Sequence, residues 1–183
     1  MKTQISKLTF FLIIFIPITF LAQEAKFVGA KKCGMCHKAK MGDQLKIWQE
    51  SKHASAFETL LSEEANKISK EMGFGEKASE ASECLKCHAT AYEVDASLIA
   101  SSYKVELGIQ CESCHGAGSK YKKKSIMKDH AKAVANGLVE FADEKAIEEH
   151  CRTCHNPESP TYMEFTFKEK WEEIKHPLTK HEE

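Results

Sequence analysis

The stretch "GIQCESCHGAGSKY", residues 108–121, sets two cysteines three apart, a histidine directly after the second, and glycines on either side. Zinc sites, redox dithiols and covalently attached haems all start from C-x-x-C, so the trailing histidine and the number of copies decide between them. All eight cysteines fall into this one pattern: "CGMCH" (Cys33, Cys36, His37), "CLKCH" (Cys84, Cys87, His88), "CESCH" (Cys111, Cys114, His115) and "CRTCH" (Cys151, Cys154, His155). On a helical turn, positions i, i+3 and i+4 share a face. Both thiols then reach the two vinyl groups of one porphyrin edge as thioethers, and the next imidazole turns under the iron as proximal ligand. The rivals explain less. A disulfide framework has no use for a histidine after every second cysteine, structural zinc does not ask for one in that place four times, and a thioredoxin-like dithiol needs a single copy. The pattern predicts four covalent haem c groups, with His37, His88, His115 and His155 as proximal ligands. The first cysteines lie 51, 27 and 40 residues apart, which excludes a solenoid of fixed period.

The chain has 183 residues with 26 Lys+Arg and 27 Asp+Glu, a formal charge of −1. No global cation points to nucleic acid. Lys2 and Lys7 precede the apolar run "LTFFLIIFIPITFL", and Ala22-Gln23 offers a cut. Residues 1–22 therefore read as a signal peptide, too short and too interrupted by Pro17 to span a bilayer. The expectation is a periplasmic protein with no stable membrane insertion after cleavage. Residues 23–183 form one expected domain, a tetrahaem cytochrome c domain. That part is highly charged and its apolar stripes are short, so it cannot bury a large core of its own. The haems are the expected core, each wrapped by roughly 40 residues.

The wrapping reads as mainly α, with long irregular loops and one short β-hairpin. A long helix is expected over residues 38–73, with Met41, Leu45 and Trp48 on one stripe and His53, Ala56, Phe57 and Leu60 on a second. The β-branched and aromatic segment Thr90–Ile109 suggests the hairpin. A helix follows from Ser119 to Asn136-Gly137, another is capped by Asp143 and runs into the fourth motif. A last one carries Phe167, Trp171 and Ile174 and ends around His176, before Pro177.

Nine histidines less four proximal ones leave His53, His130, His150, His176 and His181. A second imidazole saturates an iron for electron transfer; a missing one leaves it open to small molecules. His53 and His130 lie on apolar helical faces and His176 at a helix end, so these three are the candidate distal ligands. His150 precedes Cys151 and cannot swing to the far side of its own haem, and His181 lies at the frayed terminus. Three ligands for four irons leave one haem open, unless Met41, Met72 or Met163 fills it.

Five stretches, "KKCGMCH", "IWQESKHASAF", "GIQCESCHGAGS", "CRTCHNPESP" and "EEIKH", resemble the tetrahaem cytochrome c-554 family in order over residues 31–176. The resemblance implies a mainly helical fold with haems in close pairs. It also implies that His130 ligates the first haem, His176 the third and His53 the fourth, and that the haem of His88 is five-coordinate. His150 and His181 have no counterpart in that pattern. Neither the leader nor the lysines identify a nitrifier, so a hydroxylamine oxidoreductase partner is not implied.

The expected function is periplasmic electron transfer between a redox donor and a redox acceptor. The alternative is a small reductase of nitric oxide, hydroxylamine or nitrite at an open haem on His88, with Glu83, Lys86 and Tyr92 near in sequence. No residue is assigned a catalytic role. The run "KYKKK", Lys120–Lys124, is a candidate docking patch for an acidic partner.

Overall fold

A computed structural model describes residues 24–177 of the chain; the expected signal peptide and His181 lie outside the described residues. The first motif begins in α1 (Ala30–Cys33). Gly42 and Asp43 then turn with φ of +94° and +56°, and α2 (Gln44–Glu50), α3 (Ala56–Thr59) and α4 (Glu63–Glu71) follow. The single long helix expected here is thus three α-helices, with 3₁₀ helices at Ala39–Met41 before α2 and at Lys52–Ser55 between α2 and α3. The breaks have local causes. Glycine tolerates the left-handed turn at Gly42. Ser51 and Ser62 take extended backbone, and the Ser62 hydroxyl accepts the Ala65 N–H at 3.1 Å, a cap worth about 1 kcal/mol.

The second and third motifs fill α5 (Ser82–His88) and α6 (Cys111–His115). The segment between them forms no hairpin. Ala91 and Glu93 adopt positive φ, and Asp95 caps a 3₁₀ turn at Ala96–Leu98, so neither half keeps the extended run a hairpin needs. Among the described residues it makes a single bridge, parallel, from Ile99 to Phe27. Its two ends meet instead at Thr90, whose N–H donates to the Gly108 carbonyl at 3.0 Å. The Thr90 hydroxyl also accepts the Gln110 N–H at 2.6 Å.

The helix expected from Ser119 is two, α7 (Lys124–Met127) and α8 (His130–Ala135), because Asp129 leaves the helix to cap α8 through the Lys132 N–H at 3.0 Å. The expected stop is present, with Gly137 at φ +100°. Asp143 caps α9 (Glu144–Cys151), which delivers Cys151 into the fourth motif. The last helix, α10 (Phe167–Ile174), ends two residues before His176. Gln44 Nε2 donates to the Pro177 carbonyl at 3.1 Å, tying that end to the first motif's flank.

Among the described residues the buried apolar side chains are mostly alanines, with Val28, Leu60, Tyr121 and Phe167 the larger ones. The largest fully buried side chains are polar: Gln110, Glu112 and Ser69. A chain of this length with a core of methyl groups lacks the apolar volume that stabilises ordinary domains. None of its described helices is long and apolar enough to cross a membrane.

Candidate haem sites

Each C-x-x-C-H lies on or beside a helical turn. In the second and third motifs, both cysteines and the histidine fall within α5 and α6. In the first and fourth, helix ends at the first cysteine, and a turn continues through the backbone bonds His37 N–H to Cys33 O at 3.2 Å and His155 N–H to Cys151 O at 3.0 Å. No disulfide joins any two of the eight cysteines. The helix of the first motif, α1, packs against α6 of the third. Lys86 and Glu158, 3.7 Å apart, add a bridge between the second motif and the loop after the fourth. Among the described residues no three His, Cys, Asp or Glu side chains converge on one point, whereas a structural zinc requires four.

Two of the imidazoles expected to be distal stand ring to ring with motif histidines. His53 faces His155 with centroids 6.0 Å apart, and His115 faces His176 at 5.8 Å. Two iron–nitrogen bonds of about 2 Å, each continued by roughly 1.1 Å to the ring centre, set imidazole centroids about 6 Å apart across one iron. The donor sets therefore fit a bis-histidine metal in both places. Nδ1 of His176 is buried with no hydrogen-bond partner among the described residues, an uncommon state for a buried polar atom.

Electrostatics favour ligation as well. Burial, followed by the neighbouring His176, His37 and His150, pushes His115 down to about 4. Burial, then His155, lowers His53; burial, then His37, lowers His176; and burial lowers His155. Neutral imidazoles keep the lone pair that a metal needs. His155 also stacks on Phe165 at 4.5 Å, with the Arg152 guanidinium 5.5 Å from the centre of the Phe165 ring.

His88 is held differently. Its Nδ1 lies 2.7 Å from the Ala56 carbonyl and 3.1 Å from the Thr59 hydroxyl. A carbonyl only accepts, so Nδ1 carries the proton and Nε2 is left as the ligating atom. His130 sits exposed at the start of α8, 2.8 Å from Glu140; the structure does not bring it against His37. His150 packs on Phe141, centroids 5.2 Å apart.

The sequence reading missed the polar frame around these motifs. Gln110 Oε1 accepts the Ala30 N–H at 2.8 Å, and Glu112 accepts backbone N–H groups of Val28, Gly29 and Gly118. Trp48 Nε1 donates to the Ile109 carbonyl at 2.7 Å. The signal for the first two was present: two polar side chains flanking Cys111 within a glycine-bounded stretch.

Comparison with known proteins agrees with these observations. The family described as "Cytochrome c554 and c-prime" matches residues 32–116. Cytochrome c-554 of Nitrosomonas europaea is 32% identical over 145 residues, a match covering 74% of this chain and 60% of that protein. The match thus spans less than two thirds of the relative's length. The solved structure of reduced cytochrome c554 from the same organism superposes with a TM-score of 0.51 at 25% identity, covering 82% of this chain and 79% of that one.

Proposed function

The chain belongs to the cytochrome c554 family, and on that premise we propose that it is an exported electron carrier holding four haem c groups. Residues 1–22 would be its signal peptide and 23–183 its haem-wrapping domain, working in the periplasm between a redox donor and a redox acceptor. The observation that carries this reading is the pair of facing imidazoles, His53 with His155 and His115 with His176, each at the spacing of two ligands on one iron. Covalent haem supplies a one-electron iron couple, and two imidazoles keep that iron saturated.

The remaining contributions are the chain's own. Cys33, Cys36, Cys84, Cys87, Cys111, Cys114, Cys151 and Cys154 would attach the four groups. His37, His88, His115 and His155 would ligate from one side and His53 and His176 from the other; His130 is assigned to the first haem by the family resemblance. The Ala56 carbonyl fixes the His88 tautomer, and Phe165 orients His155. The packing of α1 on α6 and the Lys86–Glu158 bridge support two adjacent pairs of attachment sites, first with third and second with fourth.

One observation favours a second reading. His53 and His176 are the imidazoles that stand opposite a motif histidine among the described residues, and neither faces His88. An open iron there would suit reduction of nitric oxide, hydroxylamine or nitrite. Electron paramagnetic resonance of the ferric holoprotein separates the two. The carrier reading expects low-spin signals that nitric oxide leaves untouched at three haems or more. Turnover of a nitrogen oxide at a high-spin haem would replace it with the reductase.

A further inference from the structure

Between the first and third motifs lies a carboxylate with no role in attachment or ligation. Glu112, next to Cys111, is 2% exposed. Its Oε1 accepts N–H bonds from Val28 at 2.8 Å and Gly118 at 2.7 Å. Its Oε2 accepts from Val28 at 3.0 Å and Gly29 at 2.7 Å. Every one of these partners is a donor, which suits an acceptor on both oxygens, the ionised carboxylate. Gly118 is shaped to this contact, since a Cβ there would meet Oε1 at 3.1 Å. Beside it, Gln110 Oε1 takes the Ala30 N–H. Two side chains flanking Cys111, one before the third motif and one within it, thus cap the entrance to α1, where Gly29 offers no side chain.

The partners are amide dipoles, not a counter-cation, so the negative charge is anchored but not cancelled. Its field reaches its neighbours. Tyr103 is pushed up to about 12 by burial first and by Glu112 next; Tyr121 is pushed up by burial, then Cys33, then Glu112. A negative charge in a low-dielectric interior opposes the addition of an electron to any redox centre beside it. Net charge and hydrogen bonding near an iron centre are levers on its potential.

We propose that Glu112 is a positioning residue for electron transfer, a fixed buried charge that clamps the first motif to the third and lowers the reduction potential of the haems on both. The inference rests on the reading that these motifs carry haem. It assigns the haems of His37 and His115 a shared buried charge that favours the departure of electrons from that pair.

The test is a potentiometric titration of the holoprotein and its Glu112→Gln variant, with intact mass counting the haems in each. Glutamine keeps the size and removes the charge. Two of the four one-electron midpoints should rise, each by about tenfold in the reduction equilibrium or ~59 mV, and the other two should stay. Glu112→Asp, which keeps the charge, should retain the low values. A fully loaded Glu112→Gln protein with all four wild-type midpoints would make Glu112 a structural clamp only. If the amide variant loads incompletely, the aspartate variant decides: low midpoints uphold the proposal and raised ones overturn it. A wild-type chain without haem would overturn the functional reading itself, and the mass distinguishes that outcome.

Discussion

Gly108 touches the segment that presents His53, and replacing it with alanine tests how tightly that ligand is placed. Gly108 has φ +62° and ψ −131°, a region that costs a side-chain-bearing residue about 1–3 kcal/mol. A Cβ there would meet the His53 carbonyl oxygen at 2.6 Å, the Ala56 nitrogen at 2.9 Å and the Phe57 nitrogen at 3.1 Å. All three are backbone atoms, so no side chain can swing aside. Ile109 N–H also donates to the His53 carbonyl at 2.9 Å, which couples the two segments directly. Relieving 2.6 Å to an ordinary contact near 3.4 Å moves His53 by about 0.8 Å, against a tolerance of roughly 0.2 Å in a metal–ligand bond. Gly108→Ala should therefore cost about 2–4 kcal/mol in all. That lowers the melting temperature of the holoprotein by roughly 5–15 °C and turns one haem high-spin. Gly137→Ala is the control: φ is +100°, but nothing lies within 4 Å of its Cβ, so the spectrum should not change. A Gly108→Ala protein with the wild-type low-spin signal would refute the placement of His53 on an iron.

The other expectations are briefer. His53→Ala and His176→Ala should each convert one haem to high-spin, and so should His130→Ala if it closes the first haem; paramagnetic resonance identifies any residue whose removal changes nothing. Because burial depresses the His53, His115, His155 and His176 imidazoles, the stability this adds is complete above about pH 6.5 and is lost as pH falls toward the folded values. The low-spin bands should therefore be lost only below the ordinary imidazole range, and a midpoint near 6.5 would contradict it. Asp143→Ala removes the cap of α9 and should cost about 1 kcal/mol, read as a fall of roughly 2–4 °C in the melting temperature. Lys122, Lys123 and Lys124 are exposed, and reduction by an acidic partner in stopped flow should slow as salt rises. A rate indifferent to ionic strength removes the docking patch.

What the sequence made readable is the part whose chemistry is local. Two thioethers and a proximal ligand on one porphyrin would come from five consecutive residues, so the four C-x-x-C-H units are legible without any tertiary information. The α character and the caps at Asp143 and Gly137 were likewise local. The breaks in the two long helices were visible only in outline: Ser62 and Asp129 are good N-caps, but the apolar stripes running past them suggested continuity. The hairpin failed because the β-formers of residues 90–109 are interrupted by left-handed turns at Ala91 and Glu93. Their strand partner, Phe27, is more than 70 residues away. The approach of His53 to His155, and of His176 to His115, is a product of tertiary packing that no spacing encodes. Glu112 passed as a spacer between cysteines because its three backbone amide partners cannot be read from sequence; only its polarity beside Cys111 hinted at a role.

The central claim is that eight sulfurs are spent on four iron porphyrins. Intact mass spectrometry of the exported protein under denaturing conditions, paired with a thiol assay, tests it most directly. The account predicts a leaderless chain that keeps four haems after unfolding and offers no free thiol. A colourless chain with eight reactive thiols, or with disulfides in their place, would contradict it.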